Sequence, residues 1–309
     1  MHLSTGTVHR LLGAIEADSL VFLCGAGLSR PAPSDLFSAV DVARACYDKW
    51  NPIEALDPDF RDDLDSLAGH FFASGRFHDV FLNMVPWTEL VGVPNVGHAA
   101  ITDLLVIRAA RAALTSNFDC LIENWAEAHK VDLRGALTGE EAVNAGTPLL
   151  KFHGCMRLRR DLTLWTHQQL TEHSIDERVR SCSQWMNLIL PGKHLVVVGF
   201  WTDWGYLNDV LSQAFAVNNA ASVTVIDPKE TTELEANAPD LWNTLNGLSA
   251  LFEHVKGSGA EALDELREAF SRVWTRRYYA LGTGVAQRMG ATVAVPAPFD
   301  SLGGEDLYR

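Results

Sequence analysis

Three polar side chains in this sequence have the types that transfer protons and orient a substrate: an amide, a carboxylate and an imidazole. Asn117 and Asp119 follow the apolar run Ala112–Ser116, and His153 follows another, Leu149–Phe152. An imidazole, with an ordinary pKa of about 6.5, exchanges a proton near neutral pH, and an amide orients a ligand through uncharged hydrogen bonds. Structural roles stay open for each: Asn117 or Asp119 as a helix cap, and His153 as a hydrogen-bonded histidine at a strand end.

A glycine turn offers a second kind of chemistry. Gly25–Gly27 follows the apolar run Leu20–Cys24, and Ser29 opens the next segment. Glycine permits a tight turn and lets backbone N–H groups approach a ligand, and a diphosphate binds where a strand ends in such a turn. Arg30 occupies the position of the third glycine in the dinucleotide-binding fingerprint. The segment is therefore a phosphate-binding loop of another lineage or simply a tight turn.

The elements that must position these residues alternate along the chain. Apolar runs separated by helix-like patterns predict a doubly wound α/β fold, with a parallel sheet of about six strands covered on both faces. Ligands bind beyond the carboxyl ends of the strands in such a sheet. The predicted strands are Leu20–Cys24, Ala112–Ser116, Leu149–Phe152, Leu195–Gly199, Val223–Ile226 and Leu251–Val255. The clearest predicted helices are Ala99–Ala110, Leu121–Ala128, Gly205–Ala216 and Ala260–Arg277.

One region interrupts this alternation. Residues 35–87 contain no convincing strand and are predicted to form a helical insert, which either covers the ligand as a lid or merely packs on the sheet. Residues 1–281 are thus predicted to form one domain that contains this insert. Residues 282–309 are rich in Gly, Ala and Pro, which predicts a flexible tail or a linker.

Composition limits the classes of protein that this chain can belong to. The 309 residues are 47% hydrophobic, enough for a large core, and the net charge of −14 argues against direct binding of nucleic acid. No apolar stretch is long enough to span a membrane, and the N-terminus lacks the pattern of a signal peptide, so a cytoplasmic location is expected. The five cysteines form no Cys-x-x-Cys pair, which predicts reduced thiols.

Several of these segments, taken together, resemble the sirtuin family in order and spacing. The matching segments are Gly25–Ser29, Pro94–His98, Thr115–Asp119 and Lys151–Gly154, followed by Gly199 in Val198–Asp203 and by Asp227. The resemblance covers about Leu20 to Asp227 and implies NAD bound on a Rossmann-like sheet. It implies that the diphosphate lies at Gly25, Ala26, Gly27 and Ser29, the nicotinamide end at Asn117 and Asp119, and the adenosine ribose at Asp227. It also implies further cofactor contacts at Ser116 and Gly199, and His153 as the catalytic base.

The departures from the sirtuin pattern are equally informative. Sirtuin deacylases hold a structural zinc ion with two Cys-x-x-Cys pairs, whereas Gly154–His194 contains only Cys155 and Cys182, which predicts that no metal is bound. Leu162–Thr166 replaces the segment that pairs with an acyl-lysine peptide, and Arg30–Asp35 replaces the loop after the glycine turn. The chain therefore resembles the zinc-free, sirtuin-like branch of bacterial anti-phage systems, whose members cleave NAD to nicotinamide and ADP-ribose.

This resemblance implies an NAD hydrolase that acts in abortive infection, with Asn117, His153 and Asp119 as its catalytic residues. The alternatives are a zinc-free NAD-dependent deacylase or ADP-ribosyltransferase, and a sensor that binds NAD or ADP-ribose without turnover. His98 is predicted to cap or pack a helix. Unrestrained cleavage of NAD would kill the host, so control by a homo-oligomer or by a partner, such as a HerA-like ATPase or a short Argonaute, is implied.

Overall fold

A single parallel sheet organises the protein. The computed structural model describes residues 3–144 and 148–291. Within these ranges seven strands pair in the order β3-β4-β2-β1-β5-β6-β7, and every pairing is parallel. The strands are β1 (Leu20–Cys24), β2 (Ala112–Thr115), β3 (Gly135–Ala136), β4 (Leu149–Lys151), β5 (His194–Val198), β6 (Ser222–Asp227) and β7 (Phe252–Lys256).

The predicted α/β fold is confirmed. The strand β1 has the predicted bounds, β2 and β4 end one residue earlier than predicted, and β5, β6 and β7 differ from the predicted strands by one residue at each end. The edge strand β3 was not predicted, because two residues are too short to show an apolar run. Without the edge strand β3, the strand order is that of dinucleotide-binding sheets. The strands β2 and β4 lie on one side of β1, and β5, β6 and β7 lie on the other. The turn after β1 therefore lies at the topological switch point.

Helices cover both faces of this sheet. They are α1 (Thr5–Glu16), α2 (Ala39–Trp50), α3 (Leu64–Ala73), α4 (Leu82–Met84), α5 (Val96–Val106), α6 (Leu121–Ala128), α7 (Gly139–Asn144), α8 (His173–Ile189), α9 (Gly205–Ala216), α10 (Thr231–Asn237), α11 (Pro239–Gly247) and α12 (Gly259–Arg288). In β1, Val21 and Leu23 pack towards α8, α9 and α11, whereas Phe22 and Cys24 pack towards α1, α5 and α12. Both sets are buried, which explains why the strand is apolar throughout.

The helical insert has a core of its own. Between residues 35 and 87 the chain forms α2, α3 and α4 with short intervening turns, and no strand, as predicted. Phe71, Phe77 and Phe81 are almost fully buried and pack together with Trp165, which comes from the segment after β4. The insert is therefore anchored to the sheet through the residues that follow β4.

The last helix extends further than the sequence indicated. The helix α12 continues to Arg288, so the boundary predicted at residue 281 lies within a helix, and residues 282–288 are helical. The remainder of the predicted tail, residues 292–309, is outside the described residues. Among residues 3–144 and 148–291, no helix has both the length and the apolar character needed to cross a bilayer.

Candidate functional site

A cleft of about 450 Å³ opens at the carboxyl edge of the sheet. The loops after β1, β2, β4 and β5 form one wall, and the helical insert forms the other through residues 36–42 and 62–65. Its volume is within the range of pockets that bind small molecules. The insert is thus a wall of the site and does more than pack on the sheet. Among the predicted residues, those lining the cleft are Ala26, Ser29, Ser116, Asn117, Asp119, His153 and Gly199.

The glycines of the turn after β1 are required by a close approach of the backbone. The N–H of Gly25 donates to the carbonyl of Val198, at 3.0 Å, and the N–H of Gly27 donates to the carbonyl of Gly199, at 2.8 Å. A Cβ at Gly25 would lie 2.5 Å from the carbonyl oxygen of Gly199. These two N–H groups therefore hold the turn against the end of β5, and Ala26 is the residue of the Gly25–Gly27 turn that lines the cleft.

Ser29 is the centre of a buried hydrogen-bond network. Its hydroxyl donates to Oδ2 of Asp119 at 2.9 Å, and accepts from Nδ2 of Asn117 at 3.2 Å. The same oxygen lies 3.1 Å from Nε2 of His98. One hydroxyl has one donor and two acceptor sites, so these three partners satisfy it completely. Ser29 thereby links the turn after β1 to the start of α5 and to the loop after β2, which are far apart in the sequence.

His98 is an uncharged member of this network. Its Nδ1 accepts from the backbone N–H of Asn95, at 3.2 Å, within the capping box that begins α5. The proton is therefore on Nε2, which donates to Ser29. Burial lowers the pKa of His98 to about 4. The predicted capping role is confirmed, and the contact with Ser29 is the part that the sequence did not indicate.

Asn117 presents an unsatisfied atom to the cleft. Its Nδ2 donates to Ser29 and to the carbonyl of Gly25, each at 3.2 Å, so the orientation of the amide is determined. Its Oδ1 is buried and has no hydrogen-bond partner among the described residues. Leaving a buried polar atom without a partner costs about 1–3 kcal/mol, so the free oxygen indicates a place where a ligand donates a hydrogen bond.

His153 is also buried beside the cleft with a free nitrogen. The residue is 4% exposed, its ring contacts Trp204 at 4.5 Å, and its Nε2 has no hydrogen-bond partner within the described residues. Burial, followed by the positive charge of Arg178 and by His167, lowers the pKa of His153 well below its ordinary value. The imidazole is therefore uncharged at neutral pH, the form that can accept a proton.

Arg178 is a neighbour of His153 that sequence analysis missed. It extends from α8, is 4% exposed, and donates from Nη1 to the carbonyl of Phe152 at 2.6 Å. Its Nε and Nη2 have no partner in the part of the chain that the structure describes. The signal was present in the sequence, because Arg178 is a charged residue on the buried face of a helix, between Ile175 and Val179.

Of the two predicted aspartates, Asp119 lines the cleft and Asp227 does not. Asp119 is 8% exposed, and its Oδ1 accepts from the N–H of Leu121 at 3.1 Å, so this carboxylate also caps α6. Asp227 lies at the end of β6 and is not among the residues that line the cleft. Its Oδ1 accepts from the N–H of Lys229 at 2.9 Å, which closes a local turn. The ribose contact expected of Asp227 stays a prediction.

Two cysteines and a glutamate form a cluster that could hold a metal ion. Cys155 does not lie alone: donor atoms of Cys120, Glu123 and Cys155 fall within 4.8 Å of one another. The interval Gly154–His194, from which the absence of a metal was predicted, does not include Cys120. The expectation that no metal binds therefore stays a prediction, with this cluster as the place to test it.

Residues 111–247 match the model of the SIR2-like domain family. The matched range extends from the start of β2 to the end of α11 and includes Asn117, Asp119 and His153. The glycine turn and Ser29 precede the matched range, yet they complete the same cleft.

Similarity to individual proteins covers a larger share of the chain than this match. An NAD-dependent protein deacetylase of Fusobacterium nucleatum subsp. nucleatum is 29% identical over 185 residues, which are 58% of this chain and 68% of that protein. The crystal structure of a Sir2 homolog bound to NAD is 17% identical, with a TM-score of 0.48 over 84% of this chain and 91% of the other. A complex of a Sir2 homologue mutant with ADP-ribose has a TM-score of 0.46 at 17% identity, over 86% and 97% of the two chains.

Proposed function

We propose that this protein hydrolyses NAD to nicotinamide and ADP-ribose. The observation that carries the proposal is the pair of buried, unpartnered atoms beside one cleft, Oδ1 of Asn117 and Nε2 of His153. An oriented amide can position the ribose or a water molecule, and an uncharged imidazole can accept a proton, and both roles suit hydrolysis of an N-glycosidic bond. The match to the SIR2-like domain family and the relative named as an NAD-dependent enzyme favour NAD as the substrate.

The proposed reaction breaks the bond between nicotinamide and the ribose, and water supplies the new C–O bond. The nicotinamide leaves with the electron pair of that bond, and the ribose carbon becomes positively charged in the transition state. Asn117 accepts a hydrogen bond at Oδ1 and orients the ribose or the attacking water. His153 accepts a proton from the water or a ribose hydroxyl, and Asp119 adds negative charge near the developing positive charge.

The segment after β4 favours hydrolysis over deacylation of a peptide. Backbone N–H groups that pair with an extended peptide must be free, as at the edge of a sheet. Here the N–H of Leu164 donates to the carbonyl of His153 at 2.8 Å, and the N–H of Trp165 donates to Oε1 of Gln169 at 2.7 Å. The indole of Trp165 stacks on Phe118, with ring centroids 4.3 Å apart. This segment is therefore committed to internal contacts.

The biological role that we propose is depletion of NAD during phage infection, under the control of a larger assembly. A constitutive hydrolase would exhaust the NAD of its own host. The acidic balance of the chain, with a net charge of −14, favours a separate partner for sensing nucleic acid. We therefore expect the dilute chain to be nearly inactive, and a homo-oligomer or a complex with a HerA-like ATPase or a short Argonaute to be active.

Substitution of the two residues with free atoms tests the proposal. In the active assembly, Asn117→Ala and His153→Ala should each lower nicotinamide release by at least about 100-fold, because orientation and proton transfer are lost. Asn83→Ala and His173→Ala are matched controls, since both residues are exposed and neither lines the cleft. The assignment is wrong if either site variant keeps its circular dichroism spectrum and the wild-type rate.

The relative named as a deacetylase makes deacylation the second candidate function. Incubation of the protein with NAD, with and without an acetyl-lysine peptide, separates the two reactions by chromatography of the products. Hydrolysis predicts nicotinamide and ADP-ribose at a rate that does not depend on the peptide. Formation of O-acetyl-ADP-ribose in step with nicotinamide would establish deacylation and refute the proposal.

A further inference from the structure

Two cysteines connect the loops that carry the candidate catalytic side chains. Cys120 directly follows Asp119, Cys155 lies two residues beyond His153, and their sulfur atoms are 3.4 Å apart. Both residues are buried, with exposed fractions of 4% and 1%. The pair thus joins the loop after β2 to the segment after β4, close in sequence to Asp119 and His153.

The contact between the two thiols and a buried lysine beside them favour ionisation of Cys155. The ammonium of Lys151 lies 3.8 Å from Sγ of Cys120 and 3.0 Å from Oε1 of Glu123, and also donates to the carbonyl of Asp119. A hydrogen bond from Cys120, together with the charge of Lys151 and nearby backbone N–H groups, lowers the pKa of Cys155 to about 6. This direction favours the thiolate of Cys155, which is the nucleophilic form of cysteine.

The same lysine disfavours a metal ion in this cluster. The ammonium already neutralises Glu123 and has three donors, which its contacts with Asp119, Glu123 and Cys120 use. A divalent cation would have to displace this buried charge. Three donor atoms also fall short of the four that a structural zinc site requires. The chemistry of the cluster is thus that of an activated thiol beside a second thiol.

We propose that Cys120 and Cys155 are a site of reversible oxidation, at which a peroxide converts the two thiols into a disulfide. The Cys155 thiolate attacks one oxygen of hydrogen peroxide, the O–O bond breaks, and hydroxide leaves, so that Cys155 becomes a sulfenic acid. The sulfur of Cys120 then attacks the sulfur of Cys155, the S–O bond breaks, and water leaves with the proton of Cys120. Two thiols and one peroxide give one disulfide and two molecules of water.

The other three cysteines lack this environment: burial raises the pKa of Cys24, and Cys46 and Cys182 serve as controls. Burial raises the pKa of both Cys46 and Cys182 to about 12, so these two remain thiols at neutral pH. Cys46 belongs to the core of the helical insert, and Sγ of Cys182 contacts the carbonyl of Leu137 at 3.3 Å. Selective oxidation of the Cys120–Cys155 pair is therefore expected.

Peptide mapping of the folded, full-length chain tests the site without any assay of activity. Treatment with hydrogen peroxide should lower the number of titratable thiols by two and produce one cross-linked peptide that contains Cys120 and Cys155. Cys46→Ser and Cys182→Ser should keep this cross-link. Cys120→Ser should stop the reaction at a sulfenic acid on Cys155, which a dione reagent captures.

Three outcomes would overturn the proposal. One is oxidation of Cys46 or Cys182 as fast as of the pair, and another is survival of all thiols in the folded wild-type protein. The third is retention of zinc, one ion per chain by elemental analysis after incubation with zinc chloride, with loss of the ion in both Cys120→Ser and Cys155→Ser. If a cysteine variant does not fold, the wild-type map and the Cys46→Ser control still decide the question.

The effect on turnover rests on the proposed hydrolysis of NAD. A disulfide bond is about 2.05 Å long, so the sulfur atoms must approach by about 1.4 Å and shift the two loops. We expect oxidation to lower the rate of NAD cleavage by about 100-fold, and a thiol reductant to restore it. If no form of the protein cleaves NAD, the hydrolase proposal fails, while the peptide map still decides the disulfide.

Discussion

His153 lies in surroundings that keep its imidazole uncharged. Desolvation opposes the protonated form, and the guanidinium of Arg178, which is held on the carbonyl of Phe152, adds electrostatic repulsion. His167 contributes in the same direction, and Tyr206 and Trp204 form the aromatic side of this environment. Arg178 thus acts as a positioning residue that helps to keep the proposed base ready to accept a proton.

Removal of this charge should change the pH dependence of NAD cleavage. Because the pKa of His153 is lowered in the folded protein, the wild-type rate should stay constant as the pH falls through 6.5 and decline only below it. Arg178→Met removes the repulsion, so the decline should move to higher pH, whereas Arg178→Lys should leave it near the wild-type position. A pH–rate profile measures this shift, and identical profiles for all three proteins would exclude the electrostatic role.

At the scale of elements, the ends of β1 and β5 interlock through their glycines. Gly199 has φ of +62°, a conformation that favours glycine, and a Cβ there would lie 2.3 Å from the backbone nitrogen of Leu28. Gly25 has an ordinary extended conformation, so its requirement for glycine comes from the close contact with Gly199 and Phe200 alone. This contact determines where the turn and Ser29 lie relative to the sheet.

An added methyl group should therefore destabilise the protein at Gly25 and stabilise it at Gly13. Gly25→Ala is expected to lower the free energy of unfolding by about 1–3 kcal/mol, because backbone atoms must move. Gly13→Ala is the matched control: this exposed glycine of α1 has no atom within 4 Å of the added Cβ, so a gain of about 0.5–1 kcal/mol is expected. Urea denaturation measures both, and equal stability of the two variants would contradict the packing argument.

At the scale of the whole molecule, the end of α12 is an exposed apolar stripe. Its members recur every three or four residues on one side of the helix, the spacing of helices that pair with one another. They are Trp274, Tyr278, Leu281, Val285 and Met289, with exposed fractions of 54%, 74%, 72%, 47% and 79%. A second copy of the chain, contributing the same stripe, would bury these side chains, and this favours the proposed homo-oligomer.

A negative charge introduced into this stripe should therefore prevent two copies of the chain from associating. Light scattering of the wild type should give a mass above the 34.0 kDa of one chain, and Leu281→Glu should give a monomer with unchanged circular dichroism. Leu188→Glu is the control, because Leu188 is 78% exposed but lies on α8. Rates of NAD cleavage on the same samples connect size to function, and full activity of a dilute monomer would refute control by assembly.

Local signals in the sequence determined the framework of the fold. Every strand except β3 is a short apolar run whose bounds were predicted to within one residue, and among the four predicted helices α6 and α9 have the predicted bounds. The helices α1 and α8 were not among those predicted. The residues around the cleft were predicted from the same rule, since the carboxyl ends of parallel strands meet at one edge. The helical end of α12 was missed, because its glycines and alanines resemble a linker when the rest of the protein is not considered.

Contacts between distant segments were decided only by the tertiary structure. The hydroxyl of Ser29 joins residues 69 and 90 positions away along the chain, and the two sulfur atoms of Cys120 and Cys155 meet across 35 positions. Arg178 reaches the residue before His153 from a helix that begins well after it. Such contacts depend on how helices and strands pack, and packing is a property of the whole core, which no local pattern of residues encodes.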